Sequence, residues 1–208
     1  MKFKKILSGI LACATVCSAV PYVSYNFSGN ISITANATAY TTGTYENLTY
    51  KAYTNYIEIS KCDSSATSAV IPAEINGLPV TSIGAGAFDG CKSLTEITIP
   101  DSVTYIGLEA FSGCSSLTEI TIPDSVTNIA ERAFFSCSVL TEIKLSKNIT
   151  NVDSNTFAFC ESLKSITIPD GVTNIGANAF SKCYNLTEIT IPESVASIGE
   201  DTFYGCEK

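Results

Sequence analysis

Phenylalanine returns at a fixed interval along most of this chain: Phe88, Phe111, Phe134, Phe157, Phe180 and Phe203 stand 23 residues apart. A cysteine keeps the same beat three residues later, at Cys91, Cys114, Cys137, Cys160, Cys183 and Cys206. Leu94, Leu117, Leu140, Leu163 and Leu186 hold the period, with Ile97, Ile120, Ile143, Ile166 and Ile189 three positions on. Two further on come Ile99, Ile122, Leu145, Ile168 and Ile191. A second apolar pair, Val103 and Ile106, recurs as Val126 and Ile129, Ile149 and Val152, Val172 and Ile175, and Val195 and Ile198. A period of this length, kept in several columns at once, specifies a solenoid in which each unit stacks on the next.

One unit reads directly. Leu94-x-x-Ile97-x-Ile99 ends in the two-residue alternation of a strand. Pro100 has no N–H to continue a ladder, so the strand stops there, and Pro100-Asp101-Ser102 suits a turn. Val103-x-x-Ile106-Gly107 supplies a second short extended segment. Glu109 to Cys114 is expected to make one turn of α- or 3₁₀-helix with Phe111 and Cys114 inward. A single unit has too few apolar residues to fold alone. Stacked at about 4.8 Å, six units make an array roughly 25–30 Å long.

The chain before the repeats divides into three. Lys2, Lys4 and Lys5 precede the short apolar run Ile6 to Val16, and small residues follow at Cys17-Ser18-Ala19. This predicts a secretory signal over residues 1–19, with an alternative cleavage point near 37 at Ala35-Asn36-Ala37. Residues 20–44 are rich in Ser, Thr, Asn and Ala and read as a flexible linker. Residues 45–79 read as a cap and an irregular entry segment, ahead of a solenoid over 80–208. In the cap, Leu48 to Tyr53 and Tyr56 to Ser60 alternate apolar and polar about Thr54-Asn55, a hairpin signal. A hairpin there would cover the open edge of the first unit.

The unit from Leu94 to Cys114 fits the pattern L-x-x-I-x-I-P-x-x-V-x-x-I-G-x-x-A-F-x-x-C, as do those from Leu117, Leu163 and Leu186. The pattern resembles that of the BspA-like, treponemal-type leucine-rich-repeat proteins. The resemblance implies an α/β repeat solenoid: a leucine-rich-repeat right-handed superhelix with one parallel β-sheet, short second strands, short helical or 3₁₀ turns and an N-terminal β-hairpin cap. It also implies a secreted or surface-exposed bacterial protein, of a class in which some members bind host proteins or other cells. It brings no catalytic motif. Two departures stand out. Ile71-Pro72 lies twelve residues before Ile83 instead of seven, a five-residue insertion. In the unit from Leu140, Ser146 stands for Pro and Asp153 for Gly, while Lys144 and Lys147 replace Thr and Asp.

Seven cysteines lie beyond the leader, including Cys62 in the cap. Equivalent side chains in stacked units point the same way, whereas a disulfide needs converging Cβ vectors. Buried unpaired thiols are therefore expected for the ladder. No C-x-x-C pair and no His is present, so no metal site and no cofactor are expected. Without His there is no neutral-pH base, and Ser and Asp recur with the scaffold, so no catalytic residue is assigned and the chain is read as a non-enzyme. The net charge is −8, and removal of a leader carrying three lysines leaves nine basic and twenty acidic residues, a net −11. Such a chain repels phosphate backbones, which excludes nucleic acid as a partner. No apolar run of spanning length follows the leader.

The residues between the inward Leu and Ile columns form the candidate binding face: Thr95, Glu96 and Thr98; Thr118, Glu119 and Thr121; Glu142 and Lys144; Glu188 and Thr190. Two function classes remain. One is an adhesin-like recognition module for an extracellular protein or glycan. The other is a spacer, or a piece of a larger surface assembly, whose outer face is simply solvated. The last rung carries no polar cap in this sequence, so weak self-association through it is a further expectation.

Overall fold

The computed structural model describes residues 40–207, with two further short strands at Ser24–Tyr25 and Ile31–Ser32. The leader, both cleavage points and most of the linker lie outside the described residues. From Thr41 onward the chain is ordered into strands, so the last linker positions form the cap's first strand.

Three antiparallel strands build the cap: Thr41–Tyr45 pairs with Leu48–Ala52, which pairs with Ile57–Cys62. The Tyr53 N–H closes the second turn on the Tyr56 carbonyl at 2.9 Å. Ile57–Cys62 then pairs in parallel with Leu78–Ile83, so the cap continues directly into the second-strand column of the solenoid. The inserted residues form a tight hairpin of their own. Glu74–Ile75 pairs antiparallel with Leu78–Ile83 across Asn76 and Gly77, at φ 53° and 78°. Asn-Gly is the pair that tolerates two successive positive φ angles.

The solenoid repeats two strands per rung. The first column is Glu96–Thr98, Glu119–Thr121, Glu142–Lys144, Ser165–Thr167 and Glu188–Thr190. Residues meet their own copies: Glu119 faces Glu142 and Ile120 faces Ile143. The second column holds Tyr105–Ile106, Asn128–Ile129, Asn151–Val152, Asn174–Ile175 and Ser197–Ile198, again in parallel register.

The third side of each rung departs from the helical turn expected of it. No helix occurs among the described residues. Backbone N–H groups there point alternately within the rung and to the next. Those of Ala87, Asp89 and Cys91 bond three residues back, whereas those of Gly86, Phe88 and Gly90 bond the carbonyls of Leu108, Ala110 and Ser112. A helix would turn every donor inward and forfeit the inter-rung bonds. The alternation instead places every fourth residue in the left-handed region: Gly86, then Gly90, and in the next rung Glu109 and Gly113. Arg132, Ser136, Asn155, Phe159, Asn178 and Lys182 repeat this at φ between 56° and 63°.

Packing follows the columns. Phe88, Phe111, Phe134, Phe157, Phe180 and Phe203 stack with centroids 5.0 to 5.8 Å apart, and the first five are fully buried. Such offset aromatic pairs add to area burial. The thiols form a second ladder. Cys114 donates to the carbonyl of Phe88 at 3.2 Å, and Cys137, Cys160, Cys183 and Cys206 bond Phe111, Phe134, Phe157 and Phe180 in the same way. All seven cysteines among the described residues are free thiols. Burial pushes the thiols of Cys137 and Cys183 up to about 12.

Candidate functional site

Strand alternation decides what the first column can offer. Leu94, Leu117, Leu140, Leu163 and Leu186 turn inward. Glu96, Thr98, Glu119, Thr121, Glu142, Lys144, Glu188 and Thr190 turn outward and are exposed, as are Thr95 and Thr118 just before the strands. The ten residues expected on one face therefore do share it. They are not equivalent. The Thr95 hydroxyl donates to the Thr67 carbonyl at 2.9 Å, and the Thr141 hydroxyl donates to the Thr118 carbonyl at 3.0 Å. Thr187 does the same to Lys164 at 3.1 Å. At these three positions threonine stitches rungs together, with its hydroxyl proton committed to the backbone.

The face is interrupted at one place. Lys144 stands opposite Thr121, in a column that is otherwise threonine at 98, 121, 167 and 190. One rung later Lys164 takes the place that Thr95, Thr118, Thr141 and Thr187 hold elsewhere. Lys144 and Lys164 line one open hollow of about 660 Å³, together with Glu142, Lys147, Ser165 and Thr167. A neighbouring hollow of about 450 Å³ is lined by Glu96, Glu119, Glu142, Thr121 and Lys144. Lys144 thus stands at the boundary between an acidic stretch of the face and a basic one. Lys164, outside the ten residues expected on the face, belongs to this cluster. The signal was a charge where its neighbours carry a hydroxyl.

The rung that carries Lys144 is fastened to the one before it. Lys147 Nζ lies 2.7 Å from Asp124 Oδ2, and the Lys147 N–H donates to Asp124 Oδ1 at 3.1 Å. These bonds hold the Asp124 carboxyl below the usual carboxylate range. The Asn148 amide donates to the Asp124 carbonyl at 2.7 Å. Ser146, in the place of Pro, is buried and donates to the Val126 carbonyl. Thr156, where Ala110 and Ala133 stand in other rungs, is also buried and donates to the Asp153 carbonyl at 2.7 Å. The buried hydroxyls of Ser146 and Thr156 are both satisfied locally, so the rung keeps the solenoid's register while changing its outer chemistry.

An aromatic patch lies apart from this, on the cap. Tyr53 and Tyr56 stack at 4.5 Å, Tyr40 tilts against Tyr53, and Lys51 Nζ lies 5.3 Å from the Tyr40 ring. Among the described residues no group of three or more His, Cys, Asp or Glu is placed to hold a metal ion. No helix among them is long and apolar enough to cross a membrane.

The family model described as BspA type leucine rich repeat region matches six copies over residues 81–208. Among solved structures, the leucine rich repeat protein of T. pallidum is 29% identical with a TM-score of 0.69, over 79% of this chain and 89% of that one. A leucine rich cell surface protein from Faecalibacterium prausnitzii A2-165 is 32% identical with a TM-score of 0.70, over 79% of this chain and 52% of that one. A leucine-rich repeat protein from Eubacterium ventriosum shares the fold at 22% identity and a TM-score of 0.66, over 84% of this chain and 51% of that one. No match is found among curated proteins.

Proposed function

Because the chain belongs to the BspA-type leucine-rich-repeat family, we propose that it is a secreted or surface-exposed bacterial recognition module. It acts by binding rather than by catalysis, and its ligand is an extracellular protein or glycan that lies across the first-strand face. The observation that carries this reading is the break at Lys144 and Lys164. An array selected only for stacking has no physical need to exchange Thr for Lys at two outward positions around one hollow, because outward side chains do not alter the core. The cell-surface description of the Faecalibacterium relative supports the location.

The other rungs favour a second reading. Their outward residues repeat almost unchanged, and Glu119 directly faces Glu142, as expected of a solvated spacer. One experiment separates the two. The full chain and a Lys144→Glu/Lys164→Glu variant are probed on arrays of extracellular proteins and of acidic and neutral glycans, beside Glu96→Ala/Glu119→Ala/Glu142→Ala. Recognition through the face predicts a defined set of ligands lost with the first variant or shifted by the second. No reproducible ligand, or equal binding by all three chains, would leave the spacer reading in its place.

A further inference from the structure

The strand face leaves charges of both signs unpaired. Elsewhere the fold joins unlike charges of neighbouring rungs: Lys147 meets Asp124 at 2.7 Å and Arg132 meets Glu109 at 3.1 Å. On the face, Glu96, Glu119, Glu142, Lys144 and Lys164 are all exposed. Among the described residues none of these five has an ion-pair partner. Glu119 faces Glu142 in parallel register, which sets their backbones about 4.8 Å apart.

The charges are also ordered along the array. The first two rungs present Glu96 with Asp101 and Glu119 with Asp124. The third presents Lys144 and Lys147 beside Glu142. In the fourth, Lys164 appears and the glutamate column lapses to Ser165. The fifth returns to Glu188 and Glu193. Lys144 lines each of three hollows on this face. It borders the acidic one with Glu96 and Glu119, a second of about 630 Å³ with Asp101 and Asp124, and the one it shares with Lys164.

We infer that the ligand of this face is a polypeptide segment with a basic part and an acidic part. The basic part lies over Glu96, Glu119 and Glu142, and the acidic part over Lys144 and Lys164. This rests on the reading of the face as a recognition surface and names the chemistry recognised. An acidic glycan answers only the lysines. A chain long enough to run past them meets Glu119 and Glu142 on one side and Glu188 and Glu193 on the other, and both repel it. A neutral glycan is drawn by neither sign. A polypeptide carries both signs on one backbone, and such complementarity fixes register and direction more than it adds affinity. The two centres of charge are one to two rungs apart, roughly 5–10 Å, a span of two or three extended residues.

The test uses the full chain and three synthetic peptides in which serine alternates with the charged residues, so that all charges share one side. One has a lysine half and a glutamate half, one carries only lysine, and one only glutamate. Hyaluronan, a glycan whose only charges are carboxylates, is the fourth probe. Binding is followed by NMR titration at low ionic strength, beside Lys144→Thr/Lys164→Thr, which restores the residue type of the other rungs at both outward positions. The two-sign peptide should bind most tightly, and the variant should bind it about tenfold more weakly. The difference should shrink as salt screens it. A nitroxide on the glutamate end should broaden the amides of Lys144 and Lys164, and one on the lysine end those of Glu96 and Glu119. Tighter binding of a one-sign peptide or of hyaluronan, a reversed nitroxide pattern, or an unaffected variant would overturn this inference while leaving a recognition face in place. Absence of shifts on the face with all four probes would overturn the recognition reading as well.

Discussion

The Ser146 hydroxyl donates to the Val126 carbonyl at 2.6 Å, and the same oxygen accepts the Asn148 N–H at 3.1 Å. One buried serine thus does by hydrogen bonding what Pro100, Pro123, Pro169 and Pro192 do by ring rigidity in the other rungs. Ser146→Ala leaves both groups short of this partner and should cost about 1–3 kcal/mol. Ser146→Pro loses the same bonds but restricts the unfolded chain, so it should be milder than Ala by roughly 0.4–1 kcal/mol. Urea unfolding of the two variants gives the comparison. Pro less stable than Ala would show that this rung's backbone differs from its neighbours'.

The phenylalanine stack makes position along the array matter. Phe134 lies between Phe111 and Phe157 at 5.2 and 5.6 Å, while Phe203 has one stacked neighbour and is partly exposed. Phe134→Ala should cost about 3–5 kcal/mol, in the range for a large core aromatic. Phe203→Ala should cost clearly less. Calorimetric unfolding of the pair checks this, and equal losses would count against a continuous stack.

Gly113 isolates the energetics of the left-handed turn. Its φ is 67°, and an added Cβ would come no closer than 3.7 Å, to Gly90 Cα. Space is therefore no obstacle, and Gly113→Ala should cost about 1–2 kcal/mol for the backbone conformation alone. A chemical denaturation curve with unchanged slope and a lowered midpoint is the expected record.

Asp153 brings pH into stability. It occupies the place of Gly107 and Gly176, and burial, with Glu131 nearby, raises its carboxyl above the ordinary value. The native state therefore holds the proton to higher pH than the unfolded chain. The penalty is absent below the unfolded value, near pH 4, and grows as pH rises through the native one. Asp153→Asn should raise Tm by about 1–2 °C at pH 7 and give no gain at pH 3. A gain independent of pH would assign the effect to something other than charge.

The period made the rungs, both strand columns and the inward set legible, because each column repeats one residue type. The turns were not legible in the same way. Glu109, Arg132, Asn155 and Asn178 share a left-handed conformation without sharing a glycine, since the inter-rung hydrogen bonds, not the residue type, impose it. Outward placement of the candidate face followed from alternation. The division of labour within it did not. Thr95 and Thr98 look alike in sequence, yet the hydroxyl of Thr95 is spent on the Thr67 carbonyl.

The rung-by-rung stacking from cap to the lysine-bearing rung also makes the molecule a ruler. Each rung bonds only its neighbours, so adding or deleting a whole 23-residue copy would displace Lys144 from the tyrosine patch of the cap by one strand spacing, about 4.8 Å. The separation of the two is quantised. It can be retuned by copy number alone, with every contact inside a rung left as it was.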